Sequence, residues 1–390
     1  VPYASVYMIA LGLNDMEVGL IATIYMCSQV IFAFLSGPIT DKLGRRKTTA
    51  IFDFLAWSVP CLVWLAAENF WFFLVAALFN GMMKVTTNSW DCLLVEDAEK
   101  SQITNIYSLV ITAGQLSALF APIASVLVSR LTMVPAVRIL YINAFVVMTL
   151  KIVVLYFISH ETRTGIVRMR ETKGQSIFAL AGGYGGVLKI IASSRGSVFS
   201  LIITALVGAV GMVNVTFWQV IVSKKLLVPD ALLPLFPMFR SILAIVFLFT
   251  IVPRLSKLTL KTPLIFGFAS YIIGQSLLVM APADGNLTYV FLIVSLFFDA
   301  FGVGTLAMLA ESLVALYVNA AERARVMAIQ HMIIMAATAP FGYIGGALSG
   351  ISRSLPFALN TILLLAGIIV TLIFYRKTKE ETSSNQTFSL

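Results

Sequence analysis

The chain has 390 residues, 59% of them hydrophobic and only 12% charged, where ordinary soluble domains carry roughly 25% charged residues, so a water-soluble globular protein is excluded. Its 27 Lys and Arg exceed its 18 Asp and Glu for a net charge of +9, a surplus that would point to nucleic acid in a soluble chain and has to be sorted by side in a membrane chain. Apolar runs of about 20 residues recur between short polar breaks. Each is long enough to cross roughly 30 Å of hydrocarbon as a helix, and unbroken runs exclude the alternating strands of an outer-membrane barrel.

In chain order the runs predict spans at 1–11, 17–39, 48–67, 70–95, 103–128, 137–158, 199–222, 232–252, 263–281, 288–317, 326–349 and 356–375. The fold class is therefore an all-α membrane protein with twelve transmembrane helices. The first run rises only about 16 Å, so the first helix is expected to be incomplete in this chain. The longest break, 159–196, is charged at its start (HETRTGIVRMRETK) and glycine-rich at 182–186 (GGYGG). It separates a six-helix bundle over 1–158 from a second over 197–375 and is read as a central cytoplasmic loop with an interfacial helix at 177–191. Residues 376–390 form a tail. The halves resemble each other weakly: Ala98-Glu99-Lys100 and Ala121-Pro122 around span five match Ala321-Glu322-Arg323 and Ala339-Pro340 around span eleven. Parallel repeats of six helices are what a rocking transporter requires.

If odd-numbered spans run outward, 19 of the 27 basic residues fall on the inner side, 5 on the outer side, and Lys84, Lys151 and Arg240 lie within the membrane. The bias predicts that both termini are cytoplasmic and accounts for the positive charge without nucleic acid. Cys27, Cys61 and Cys92 sit inside apolar runs, which supports neither a disulfide framework nor a metal site. The chain has two histidines and no HExxH, GxSxG or glycine–lysine phosphate loop, so hydrolysis and ATP-driven transport have no motif, no cofactor is expected, and the protein is not read as an enzyme.

Between spans two and three stands GPITDKLGRRK, Gly37 to Lys47. Gly37 would let helices approach closely, Gly44 would supply the positive φ of a tight turn, and Asp41 with Arg45 would form a pair whose acceptor extends to Glu96 or Asp97 at the end of span four. With Gly37, Asp41, Lys42, Gly44, Arg45 and Arg46 in place at this loop of a six-plus-six chain, the sequence resembles the major facilitator superfamily. The resemblance implies two helical bundles and secondary transport. It also implies a latch built from Gly37, Asp41, Gly44, Arg45, Arg46, Glu96 and Asp97, with Asp41 facing the N-terminal end of span eleven and its helix dipole. The alternative role for the basic residues is anchoring to anionic lipid. The equivalent loop of the second half, PRLSKLTLKTP at 253–263, keeps the charge but lacks the glycines and the Asp, so any latch is one-sided. The chain departs from drug antiporters of the family in having Ala77 where they often carry an Arg on span four.

Ionisable groups are expensive in hydrocarbon, so each is a functional candidate. On span four Asn80, Lys84, Asn88 and Asp91 fall within an arc of roughly 80° on one helix face, and with Trp90 they are candidate substrate contacts. Asn214, Trp218 and Gln219 on span seven and Arg240 on span eight join them. Arg240 and Asp299 differ in depth by only roughly 5 Å, which allows a salt bridge. Asp299 and Glu311 on span ten and His331 on span eleven are the candidates for proton coupling. Asp53 on span three and Lys151 on span six are read as a structural pair, or Lys151 as snorkelling.

The sequence thus predicts a secondary active transporter moving a small solute by alternating access, coupled to protons, with Lys84 and Arg240 suited to an organic anion. Multidrug or metabolite efflux by proton antiport, and a lipid flippase of the same fold, are the alternatives. The expected partners are a small-molecule substrate, the proton and membrane lipids, with the chain a monomer in a bacterial inner membrane.

Overall fold

The computed structural model describes residues 3–99, 102, 106, 109–110, 113–114, 116, 120–177, 191–192, 194–250, 260–283, 285–316 and 323–387. Among them every regular element is helical: α1 Ala4–Ala10, α2 Asp15–Leu43, α3 Arg45–Leu65, α4 Phe70–Val95, α5 Ala121–Leu131, α6 Met133–Ile158, α7 Arg163–Glu171, α8 Arg195–Lys224, α9 Leu235–Thr250, α10 Lys261–Met280, α11 Asn286–Leu316, α12 Arg323–Thr338, α13 Pro340–Ile351 and α14 Leu355–Thr387. Hydrocarbon offers no partner to a backbone N–H or C=O, and the helix satisfies both internally.

Ten stretches among the described residues are long and apolar enough to cross a membrane, with α12 and α13 contributing one crossing together. The short α1 and α5 stand where the first and fifth spans were expected. Much of the fifth span, and the interfacial helix expected at 177–191, lie outside the described residues.

Local chemistry sets the helix ends. Asn14 and Glu17 form a reciprocal capping box at the start of α2, each side chain accepting from the other's backbone N–H at 2.9 Å. Asn69 caps α4, Thr162 caps α7 and Ser194 caps α8 through side-chain oxygens. Within α3, Pro60 has no N–H to give to the preceding turn, and the helix widens to a π-turn over Phe54–Ser58.

By packing, the chain divides into two compact units. Unit 1 comprises Val1–Gly186 with Pro229–Leu235 and Ala339–Gly350, and unit 2 comprises Val187–Val228, Phe236–Thr338 and Ile351–Leu390. Unit 1 is centred on an aromatic cluster in which Trp64 lies 4.7 Å from Phe73 and 5.2 Å from Tyr141 between ring centroids, with Tyr7 donating its hydroxyl to Trp64 O. Also in unit 1, α2 meets α13 backbone to backbone. A Cβ on Gly19 would lie 2.3 Å from Gly342 O and 2.9 Å from Gly346 Cα, so only glycine allows this approach. Thr23 fastens the seam, its Oγ1 donating to Ala339 O and accepting from Tyr343 N, both at 2.8 Å, while Ser349 donates to the buried Asp15 carboxylate. Unit 2 is built on Phe199, Ile203, Leu264, Phe268, Leu306 and Leu364. Outward-facing Ile142, Val146, Leu150, Val153 and Phe157 on α6 are more than 40% exposed, the face of a helix made for lipid.

Candidate functional site

At the junction of α2 and α3 the chain turns at Gly44, with φ +82°, as the loop motif requires. The first N–H groups of a helix have no partner within it. Here Glu161, just after α6, serves them: Arg45 N donates to its Oε1 at 2.8 Å and Arg46 N to its Oε2 at 3.1 Å, a carboxylate at the positive end of the helix dipole. The Arg45 side chain is buried and reaches Asp41 Oδ1 through Nη1 at 3.0 Å and Glu96 Oε1 through Nη2 at 2.9 Å, with Nε also donating to Glu96. Thr162 donates its hydroxyl to the same Glu96 carboxylate. The Arg46 guanidinium lies 4.2 Å over the Tyr156 ring and donates to Tyr156 O. Lys42 Nζ donates to Gln175 O at 2.9 Å.

This geometry joins Asp41, Arg45 and Glu96 as the motif predicts and changes two details. Asp97 accepts from Arg163 N and makes no ion pair with Arg45 among the described residues. Among the described residues nothing lies within 4 Å of where a Cβ on Gly37 would stand; its place is inside α2, one residue before Pro38. The residues preceding α12, which Asp41 was expected to face, lie outside the described residues, as does most of the second-half loop at 253–263.

On α4 the helix breaks after Gly81. Met82 N donates to Phe79 O at 3.0 Å in a tightened turn, and the freed Leu78 O accepts from Ser28 Oγ at 2.9 Å. The four polar positions therefore do not lie along one unbroken helix. Asn80 lines a cavity of about 190 Å³ with Trp57, Trp64 and Tyr141. Beyond the break Asn88 Nδ2 donates to Thr40 Oγ1 at 3.2 Å, while Lys84, Trp90 and Asp91 are half-buried. Lys151 Nζ reaches Asp53 Oδ2 at 2.6 Å beside the π-turn, the structural pair read from the sequence.

In unit 2 Asp299 is 1% exposed. Gln275 Nε2 donates to both of its oxygens, at 3.1 and 3.2 Å, and Gln275 Oε1 accepts from Asn360 Nδ2 at 3.0 Å. The carboxyl fits only because residue 274 is glycine: a Cβ there would stand 2.4 Å from Asp299 Oδ1. No ion pair joins Arg240 to Asp299 among the described residues. Arg240 is half-buried, and the amide of Gln275 occupies the oxygens that a guanidinium would take. Asn214 Nδ2 donates to Tyr271 Oη at 2.7 Å. Trp218 packs edge-on against Phe236, and Gln219 is half-buried. His331 is exposed, its neighbour Gln330 is fully buried, and the Glu311 side chain lies outside the described residues. At the end of α8, burial pushes the Lys225 ammonium below its ordinary pKa while Nζ donates to Val279 O.

Sequence reasoning missed Glu161, Thr162 and Tyr156 around the loop and Asn360 beside Gln275. Glu161 was visible only as the first carboxylate after span six, and Asn360 as a lone amide in an apolar run. Among the described residues no group of three or more His, Cys, Asp or Glu could hold a metal ion.

The fold is shared with solved transporters. The nucleoside transporter NupG superposes with a TM-score of 0.73 at 14% identity, covering 97% of this chain and 94% of that one. A point mutant of the peptide transporter POT in complex with alafosfalin gives 0.68 at 16%, covering 95% and 87%. A POT family transporter in complex with 5-aminolevulinic acid gives 0.65 at 14%, covering 97% and 91%. No curated protein matches the chain. The sequence model of the Major Facilitator Superfamily matches residues 1–286. With ten crossing helices among its described residues, the glycine-turned loop pairing Asp41, Arg45 and Glu96, and this match over most of its length, the chain belongs to the Major Facilitator Superfamily and is an integral membrane transport protein.

Proposed function

We propose that the protein is a secondary transporter that moves a small organic anion by alternating access and couples the movement to a proton at Asp299. The observation that carries this reading is the Asp299 carboxyl, buried within a crossing helix, held by an amide and by no ion pair among the described residues. A charge in hydrocarbon marks a functional position, and this one has a built-in structural consequence. A protonated carboxyl carries an O–H donor, which the Gln275 NH₂ group cannot accept. The other carboxyl oxygen still accepts, and the route we infer for the O–H is to Gln275 Oε1, which turns toward Asp299 and brings Nε2 toward Asn360. Asn360 Oδ1, which has no hydrogen-bond partner in the present arrangement, accepts that group once its own amide turns. Along that route one proton reorients two amides and reaches α14 from α11. Glu311 and His331 are secondary coupling candidates.

Lys84 in unit 1 and Arg240 in unit 2 are each candidate anion contacts, and Asn88, Trp90, Asp91, Asn214, Trp218 and Gln219 candidate neighbours of the solute. The basic bias of the loops supports cytoplasmic termini; a bacterial inner membrane and a monomeric chain belong to the same proposal. A cysteine at Lys224 should be labelled from outside the cell, and labelling only from the cytoplasm reverses the orientation.

The test is proton flux into liposomes containing the purified protein and an interior pH dye, challenged with organic anions, nucleosides, peptides, sugars and lipophilic cations. The expected result is a pH change driven by an anion, abolished by Asp299→Asn and weakened by Lys84→Ala and by Arg240→Ala. Flux driven only by lipophilic cations replaces this reading with proton-coupled efflux. Solute-driven flux that survives Asp299→Asn removes Asp299 from coupling.

A further inference from the structure

Along α8 and α14, unit 2 carries an open groove of about 370 Å³, within the size range of small-ligand sites, roughly 300–1,000 Å³. Its walls are Val198 and Ile202 on one side and Val370 and Ile373 on the other. Its floor is Phe199 stacked on Phe374, with ring centroids 4.0 Å apart and planes 6° from parallel. The walls are outward-facing, with Ile202 38% and Ile373 51% exposed. In a lipid environment two apolar helix faces gain little by closing on each other, so a groove with a rigid aromatic floor is filled by a lipid chain.

The mouth of the groove is basic. Arg195 lines it, and Arg376 stands exposed at the same end of α14. We propose that this groove binds one anionic phospholipid of the adjacent leaflet, its acyl chain between α8 and α14 and its phosphate at Arg195. That leaflet is the cytoplasmic one, a clause that rests on the orientation proposed above. Charge chooses this occupant: a zwitterionic lipid would fill the walls equally well, but each basic residue near the headgroups favours an anionic lipid by roughly fivefold. The aromatic floor and the branched walls recognise a chain, and Arg195 recognises its head.

The experiment is native mass spectrometry of the purified full chain with equimolar phosphatidylglycerol and phosphatidylcholine of identical chains. One phosphatidylglycerol should be retained over phosphatidylcholine by roughly fivefold or more. Arg195→Gln should bring the ratio close to one, and Arg195→Lys should keep the preference. Ile202→Trp, which fills the groove and leaves the charge, should lower retention of both lipids. Arg130→Gln, a basic residue of unit 1, should change nothing. Equal retention of the two lipids by the unaltered chain, a ratio unmoved by Arg195→Gln, or full retention by Ile202→Trp would each overturn the proposal, as would an equal loss in Arg130→Gln, which would make the preference one of overall charge. The measurement is made outside a bilayer, so it stands or falls separately from the labelling at Lys224 that tests the orientation.

Discussion

Around Glu96 the donors are the Arg45 guanidinium and the Thr162 hydroxyl, with the Cys92 thiol beside them; around Asp299 they are amides, Gln275, itself held by Asn360, with Asn214 beside them. The first carboxylate belongs to a loop where Asp41, Glu96 and Glu161 are matched by Arg45, Arg46 and the first N–H groups of α3. Its charges compensate one another and fix the backbone. The second lies inside a crossing helix with no ion pair among the described residues, its charge shared with dipoles that can turn. A network closed by opposite charges resists change, whereas one closed by reversible amides can pass between two arrangements with its hydrogen bonds kept. The contrast separates a structural use of carboxylates from a switching one within the same chain.

That distinction makes stability the way to break it. Arg45→Ala leaves the Glu96 carboxylate and Asp41 without their partner in a largely buried setting and should cost about 3–5 kcal/mol, read as a large loss in thermal unfolding temperature in detergent. Gly44→Ala imposes a side chain on a positive φ in an essentially glycine-only region, at about 1–3 kcal/mol, and pushes its methyl against Glu161, 2.6 Å away. Asp299→Asn should move stability by no more than about 1 kcal/mol in either direction, even as it abolishes coupled proton flux. A loss as large as that of Arg45→Ala would make Asp299 a structural residue and erase the difference. Lys42→Ala, removing an exposed contact to Gln175 O, should stay within about 0.5 kcal/mol.

The crossing helices were legible in the sequence because length and apolar content alone decide whether a segment spans hydrocarbon. The loop pairing was legible too, since Asp41 and Arg45 stand one helical turn apart and Glu96 ends the span that packs beside them. What stayed hidden depended on tertiary neighbours. Nothing near Gly44 in sequence indicates that Glu161, more than a hundred residues on, supplies the acceptor for α3. The spacing that puts Arg240 and Asp299 at similar depth says nothing about azimuth, and Asp299 turns toward Gln275. The break in α4 escaped because it needs Ser28 on α2 to take the Leu78 carbonyl, a bond no periodicity reports. Gly37 shows the same dependence: a glycine signals close approach only where another helix arrives, and among the described residues none stands against it.

The seam of Gly19, Gly342 and Gly346 binds the history of three distant positions together. A Cβ at residue 19 or 346 meets backbone on the facing helix at 2.5 Å or less, and backbone cannot rotate aside as a side chain can. Drift at either position is therefore barred while the seam is kept, and a single substitution cannot be rescued by shrinking its partner, which is already glycine. Relatives that share this packing should hold glycine at both faces, and those that lose one should lose the other and the Thr23 bridge with it.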